Sequence, residues 1–224
     1  MKILALEFSS PQRSVAVVRA RGVPPRDAPP STVEVIETGQ LPTKSISMIE
    51  EALRQAHLER EQIECLAIGL GPGSYTGIRA AIALAQGWQL ARKVKLVGIS
   101  SADIVAAQAH ADGMVGHTAV VIDAQRREFY LANYEITAHH WHAREPLRLA
   151  KVDEVQACQR AGQVLVGPEV TRWFPEGRII FPRAALLGSL ALPQTDFVSG
   201  DRLEPIYLRQ TTFVKAPPPR ILLA

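Results

Sequence analysis

The sequence predicts an α/β protein with right-handed crossovers. Strand-like and helical stretches alternate along the chain. Of its 224 residues 47% are hydrophobic, enough for one large or two small cores. A strand, an acidic turn and a returning strand occur twice, near the N-terminus and again from residue 118. That repeat predicts two similar half-domains facing one another across a cleft, with an acidic hairpin of each at its mouth.

Residues 2–6 read as an apolar strand, 7–13 as a polar turn and 14–19 as the returning strand. Ser9, Ser10 and the backbone of that turn can hold a phosphate, with Glu7 near an accompanying metal ion; a solvated hairpin tip is the competing reading. Four prolines stiffen the loop 22–31, and 33–38 resumes strand character. Residues 45–56 form a helix in which Ile46, Ile49, Leu53 and Ala56 recur at helical spacing and cover the sheet. Met48 and Ala52 extend this stripe sideways, where they can fill the core or reach a second surface.

A short buried strand at 66–70 then enters a helix through Gly71, Gly73 and Ser74, with Thr76 placed to cap the helix that Ile78 begins. Such a loop can turn backbone N–H groups and the positive helix end on an anion, or it can be a tight strand-to-helix turn without a ligand. From 78 to 91 only Arg79, Gln86 and Gln89 are polar, close to one stripe, so one sheet cannot cover the rest. Ala80, Leu84, Gly87 and Ala91 make a flat line where the first helix or a partner's helix can approach closely.

Residues 96–99 read as a strand, Ser101 as the cap of a helix at 102–109, and 112–117 as a domain boundary. Strands at 118–122 and 128–136 flank a polar turn that begins with Asp123. His139, His140 and His142 sit on a loop without helical ligand spacing or a carboxylate partner, which favours a solvated loop over a metal site. A helix at 152–161, a strand at 164–167, a helix at 184–192, a closing element at 205–209 and a stiff tail at 215–219 complete the chain. The formal charge of +3 comes from scattered arginines, which disfavours nucleic-acid contact by the chain alone. Cys65 and Cys158 lack Cys-x-x-Cys spacing and are expected as reduced thiols. The first apolar run ends at Glu7, too short for a signal peptide, and no stretch approaches about 20 apolar residues, so a cytoplasmic chain is expected.

Leu4-Ala-Leu-Glu-Phe-Ser-Ser10, Gly71-Pro-Gly-Ser-Tyr-Thr-Gly-Ile-Arg79, Asp123-Ala-Gln-Arg-Arg-Glu-Phe-Tyr130 and Glu204-Pro-Ile-Tyr-Leu-Arg209 together closely resemble the TsaB (YeaZ) family. The resemblance implies an actin-like ATPase fold of two ribonuclease-H-like lobes, each a mixed sheet flanked by helices. It places them at 1–110 and 111–202, with 203–210 packing back on the first and a proline-rich tail from 211. It also implies a role in making threonylcarbamoyladenosine at position 37 of tRNAs that read codons starting with A. The implied part is a non-catalytic scaffold that binds a TsaD-type transferase, or a second copy of itself, through the first lobe's helices. A TsaE-type ATPase belongs to the larger complex, and tRNA is met only through that complex.

The catalytic relative carries a His-x-x-x-His metal pair, whereas no histidine here has another four places away. The expected partner interface comprises Ile46, Met48, Ile49, Ala52, Leu53, Arg79, Ala80, Ala83, Leu84, Gly87 and Ala91. ATP or ADP with magnesium would fall to Glu7, Ser9, Ser10, Gly71, Gly73, Ser74, Thr76, Gly77 and Asp123. Glu7-Phe8 stands where the family usually has Asp-Thr, which removes a hydroxyl and lengthens the acid, against nucleotide binding. The competing enzyme reading is a small actin-like ATPase or phosphotransferase using these same groups.

Overall fold

The structure is a computed structural model that describes residues 1–20, 31–39 and 44–209. The expected proline loop and proline-rich tail lie outside them. Five strands, β1 (Lys2–Glu7), β2 (Gln12–Arg19), β3 (Ser31–Thr38), β4 (Cys65–Gly69) and β5 (Lys95–Ile99), form a sheet ordered β3-β2-β1-β4-β5. β1 is antiparallel to β2 and parallel to β4. The second sheet takes β6 (Gly116–Asp123), β7 (Glu128–Ile136), β8 (Trp141–Ala143), β9 (Arg148–Lys151), β10 (Val164–Gly167) and β11 (Arg178–Ile179) in the order β11-β10-β6-β7-β8, with β9 also on β7. Again an antiparallel hairpin, β6–β7, lies beside a parallel strand, β10. The sequence repeat is thus a repeat of topology.

The two faces of β1 alternate. Leu4 and Leu6 join Val15, Val17, Leu66 and Ile68 under helices α1 (Ser45–Gln55) and α2 (Tyr75–Arg92). Ile3 and Ala5 join Ala16, Val18 and Ala67 under α5 (Ala184–Ala191). α5 sits close because Gly188 has no side chain: a Cβ there would overlap Val18. On the second sheet, α3 (Ser101–Ala111) covers Val120, Ile122, Ala132 and Val166, and Val155 of α4 (Val152–Arg160) packs with Val121, Phe129 and Leu131 of the opposite face. The Tyr134 hydroxyl of β7 donates to Asp103 Oδ1 of α3 at 2.7 Å.

Four expectations are corrected. α3, within the expected first lobe, packs on the second sheet, whereas α5, within the expected second lobe, packs on the first. The buried stripe of α1 is Met48, Ile49, Ala52 and Leu53, continued by the C-cap Ala56, and Ile46 points outward at 51% exposed. Of the loop expected at 139–142, Trp141 and His142 belong to strand β8, which pairs with β7. Helix caps fall earlier than expected: Ser74 caps α2 and Ser100 caps α3. Both cysteines are free, and burial pushes the Cys65 thiol up to about 11. Among the described residues no helix is long and apolar enough to cross a membrane.

Candidate functional site

The turns after β1 and β6 and the glycine loop after β4 converge on one cleft of about 880 Å³ between the sheets. Ser9, Ser10, Gly73, Ser74, Thr76, Gly77 and Asp123 all line it, so the structure brings together most of the residues expected at an anion site. Arg13, Glu169, Gln125, Ser45, Tyr75, Tyr130 and Tyr207 add to its polar and aromatic lining. Glu7 and Gly71 lie behind the wall.

Glu7 is fully buried. Its Oε1 accepts the Ser9 N–H at 2.8 Å and its Oε2 accepts the Ser101 hydroxyl at 3.0 Å. Ser101 Oγ in turn accepts the Gly71 N–H at 3.1 Å, and the Ser101 N–H donates to Gly71 O at 2.7 Å. A Cβ on Gly69 would overlap the Glu7 carboxylate, so the absent side chain makes room for it. Burial, the largest influence, pushes the Glu7 carboxyl above the ordinary glutamate range, against the opposing hydrogen bonds from Ser9 and Ser101. Glu7 thus acts as a buried brace between the first turn, the glycine loop and α3. Ser101, read from sequence as a cap, is the other half of that brace.

The glycine loop is shaped by the same turn. A Cβ on Gly73 would overlap Ser9 O and one on Gly77 would overlap Phe8 O, both backbone atoms. The Ser74 N–H donates to Ser9 O at 2.7 Å, and Ser74 Oγ accepts the Gly77 N–H at 3.3 Å. The Ser10 hydroxyl donates to Gln12 O at 2.7 Å. Asp123 Oδ1 accepts the Gln125 N–H at 2.7 Å, beginning a turn in which Gln125, Arg126 and Arg127 all have φ near +60° (65°, 57° and 61°). Arg13 lies 3.9 Å from Glu37 and donates to Gly39 O at 2.6 Å, and it shares the lining with the carboxylates of Asp123 and Glu169.

These contacts do not fit a nucleotide phosphate with magnesium at the first hairpin. The acid expected to hold the metal is sealed away, and the Ser74 N–H is committed to the Ser9 carbonyl. The histidines gather no ligand set either. His140 and His142 stack at 5.9 Å, and His142 Nε2 lies 3.8 Å from Glu135 Oε2. Among the described residues no group of three or more His, Cys, Asp or Glu side chains is placed to hold a metal ion.

The outer face of α2 is the second notable surface. Ile78, Ala81, Ile82 and Ala85 face the sheet, whereas Arg79, Ala80, Ala83, Gly87 and Ala91 are exposed and Leu84 is half-buried. Leu90, not expected at an interface from sequence, is 87% exposed on this face. Its signal was the second row of the same stripe, Ala83, Gly87 and Leu90 at i, i+4 and i+7. Met48, Ile49, Ala52 and Leu53 are instead committed to the chain's own core. Tyr75, Tyr207 and Arg209 stand within the family-like motifs, but the sequence assigns them no site role; the link among them becomes visible only across the folded cleft.

Two duplicated hairpin-bearing sheets around a cleft define an actin-like, ribonuclease-H-like protein. In agreement, YeaZ from Pseudomonas aeruginosa superposes with a TM-score of 0.77 at 22% identity, covering 92% of this chain and 99% of that one. Residues 41–208 match the family model of TsaD, tRNA N6-adenosine threonylcarbamoyltransferase, and the chain belongs to this family as a TsaB/YeaZ member. The tRNA threonylcarbamoyladenosine biosynthesis protein TsaB of Escherichia coli (strain K12) is 27% identical over 190 residues, 77% of this chain and 82% of that protein. TsaB of Haemophilus influenzae is 27% identical over 192 residues, 77% of this chain and 81% of that protein.

Proposed function

We propose that this chain serves tRNA threonylcarbamoyladenosine biosynthesis as a non-catalytic subunit, seating a TsaD-type transferase on the outer face of α2. The observation that carries this reading is Gly87. A mid-helix glycine costs about 1 kcal/mol relative to alanine, yet a Cβ at Gly87 would meet nothing within 4 Å. Nothing among the described residues requires the glycine, whereas a helix of another chain crossing closely at that point would. The exposed alanines on either side and Leu90 extend the same small, apolar surface. A second copy of the chain is a competing occupant of this face; a TsaE-type ATPase and tRNA join through the assembled complex. No nucleotide chemistry is assigned to the cleft, and ATP turnover by the isolated chain would favour the phosphotransferase reading instead.

Ala83→Glu places a charge on the exposed face and is expected to weaken association with the TsaD-type subunit about 100-fold or more, as a desolvated charge at an interface centre does. Titration calorimetry measures this, with circular dichroism confirming the fold; unchanged affinity refutes the placement. Gly87→Ala is expected to raise the stability of the isolated chain by about 1 kcal/mol and at the same time to weaken association. Equal association with and without the added methyl group would rule out close helix approach at Gly87.

A further inference from the structure

We propose that residues 203–209 form an interlobe strap that ties the outer face of α2 to the β6–β7 turn and holds the width of the cleft. Leu203 anchors one end in the first lobe's core, and the Ile206 N–H donates to Leu70 O at 2.9 Å beside the glycine loop. Tyr207 then stacks on Tyr75, the first residue of α2, with ring centroids 5.7 Å apart and planes at 25°. Arg79, on the exposed face, donates to the Tyr75 hydroxyl and lies over the Tyr75 ring, on which Tyr207 stacks. At the far end Arg209 reaches the second lobe: its Nη2 donates to Ala124 O at 2.9 Å, to Gln125 O at 3.3 Å and to Glu128 Oε2 at 2.6 Å.

The left-handed run at Gln125, Arg126 and Arg127 bends the turn that carries these carbonyl acceptors. Tyr75, Tyr207, Asp123, Ala124 and Gln125 all line the cleft, so the strap crosses at its mouth. α3 and α5 join the lobes at the base through their own packing. The strap is the corresponding tie at the open side. Because Arg79 and Tyr75 belong to the docking helix, a partner seated there bears on the strap directly; this coupling rests on the function proposed above.

Spin labels on Gln55→Cys in α1 and Gln156→Cys in α4, in a Cys158→Ala background, report the separation of the lobes by pulsed electron resonance. The isolated chain is expected to give one narrow distance distribution. Tyr207→Ala and Arg209→Ala are each expected to broaden it about two-fold and to move it to longer distance, while Leu208→Ala, altering an exposed neighbour, leaves it unchanged. Circular dichroism checks that the variants fold, and Arg209→Gln provides a milder replacement that still removes the ion pair with Glu128. Superimposable distributions for the wild type and the Tyr207 and Arg209 variants would overturn the strap. Addition of the TsaD-type subunit is expected to narrow the wild-type distribution and leave that of Arg209→Ala broad. Binding without narrowing overturns the coupling, whereas absence of binding defeats the proposed function and leaves the free-chain result to decide the strap.

Discussion

Gly77→Ala is expected to destabilise the chain by about 3 kcal/mol, the upper range for overpacking a dense interior. Propensity alone predicts the opposite sign, since alanine is about 1 kcal/mol better than glycine within a helix. The overlap decides the outcome. The new Cβ would meet the carbonyl oxygen of Phe8, a backbone atom held between a fully buried side chain and the β1–β2 turn, and so unable to swing aside as a flexible side-chain end could. Relief requires the start of α2 to move away from the turn, stretching the Ser74 N–H to Ser9 O bond that joins them. Urea unfolding followed by circular dichroism measures the effect. A Gly77→Ala chain as stable as the wild type would show that the glycine stretch is not shaped by this contact. With Gly87→Ala, the experiment places the same substitution twice in one helix with opposite expected signs.

The strands were legible where local chemistry was sufficient. β1, β4 and β6 are short apolar runs ended by Glu7, the glycine loop and Asp123, and buried sheet centres select such runs. The phase of α1 was less legible. Ile46 and Met48 both begin plausible rows at helical spacing, and only the position of the sheet buries Met48 and exposes Ile46. The exchange of α3 and α5 between sheets was not legible, because their small apolar residues suit either surface and local sequence does not encode which lies nearer. At the cleft, the Ser, Gly and Asp motifs identified most of the lining, but the brace was hidden. Glu7 and Ser101 are 94 residues apart in sequence, and the missing side chain of Gly69 that admits the carboxylate lies on a third element. Arg209 was hidden for the same reason: its three acceptors belong to a turn more than 80 residues away.

Glu7→Ala is expected to cost about 3 kcal/mol, because it leaves the Ser9 N–H and Ser101 hydroxyl without their buried acceptors and opens a void beside Gly69. Glu7→Gln separates the charge from the hydrogen bonds. Its carbonyl can accept the Ser9 N–H and its amide can donate to Ser101 Oγ, reproducing the neutral carboxyl in shape. Burial raises the folded-state pKa of Glu7 above its value of 4.5 in the absence of such an environment. Below that value the carboxyl is protonated in both states and contributes no pH dependence. As pH rises through the window from the unfolded to the folded pKa, the unfolded chain releases the proton first, and ionisation increasingly favours unfolding. The wild type is therefore expected to lose stability relative to Glu7→Gln from acid toward neutral pH, with the difference levelling once the folded carboxyl is ionised. Parallel urea titrations of the two chains from about pH 4 to 8 measure it. A constant difference across that range would mean that burial does not set the ionisation of Glu7, and a widening difference in favour of the wild type would mean that its hydrogen bonds outweigh desolvation.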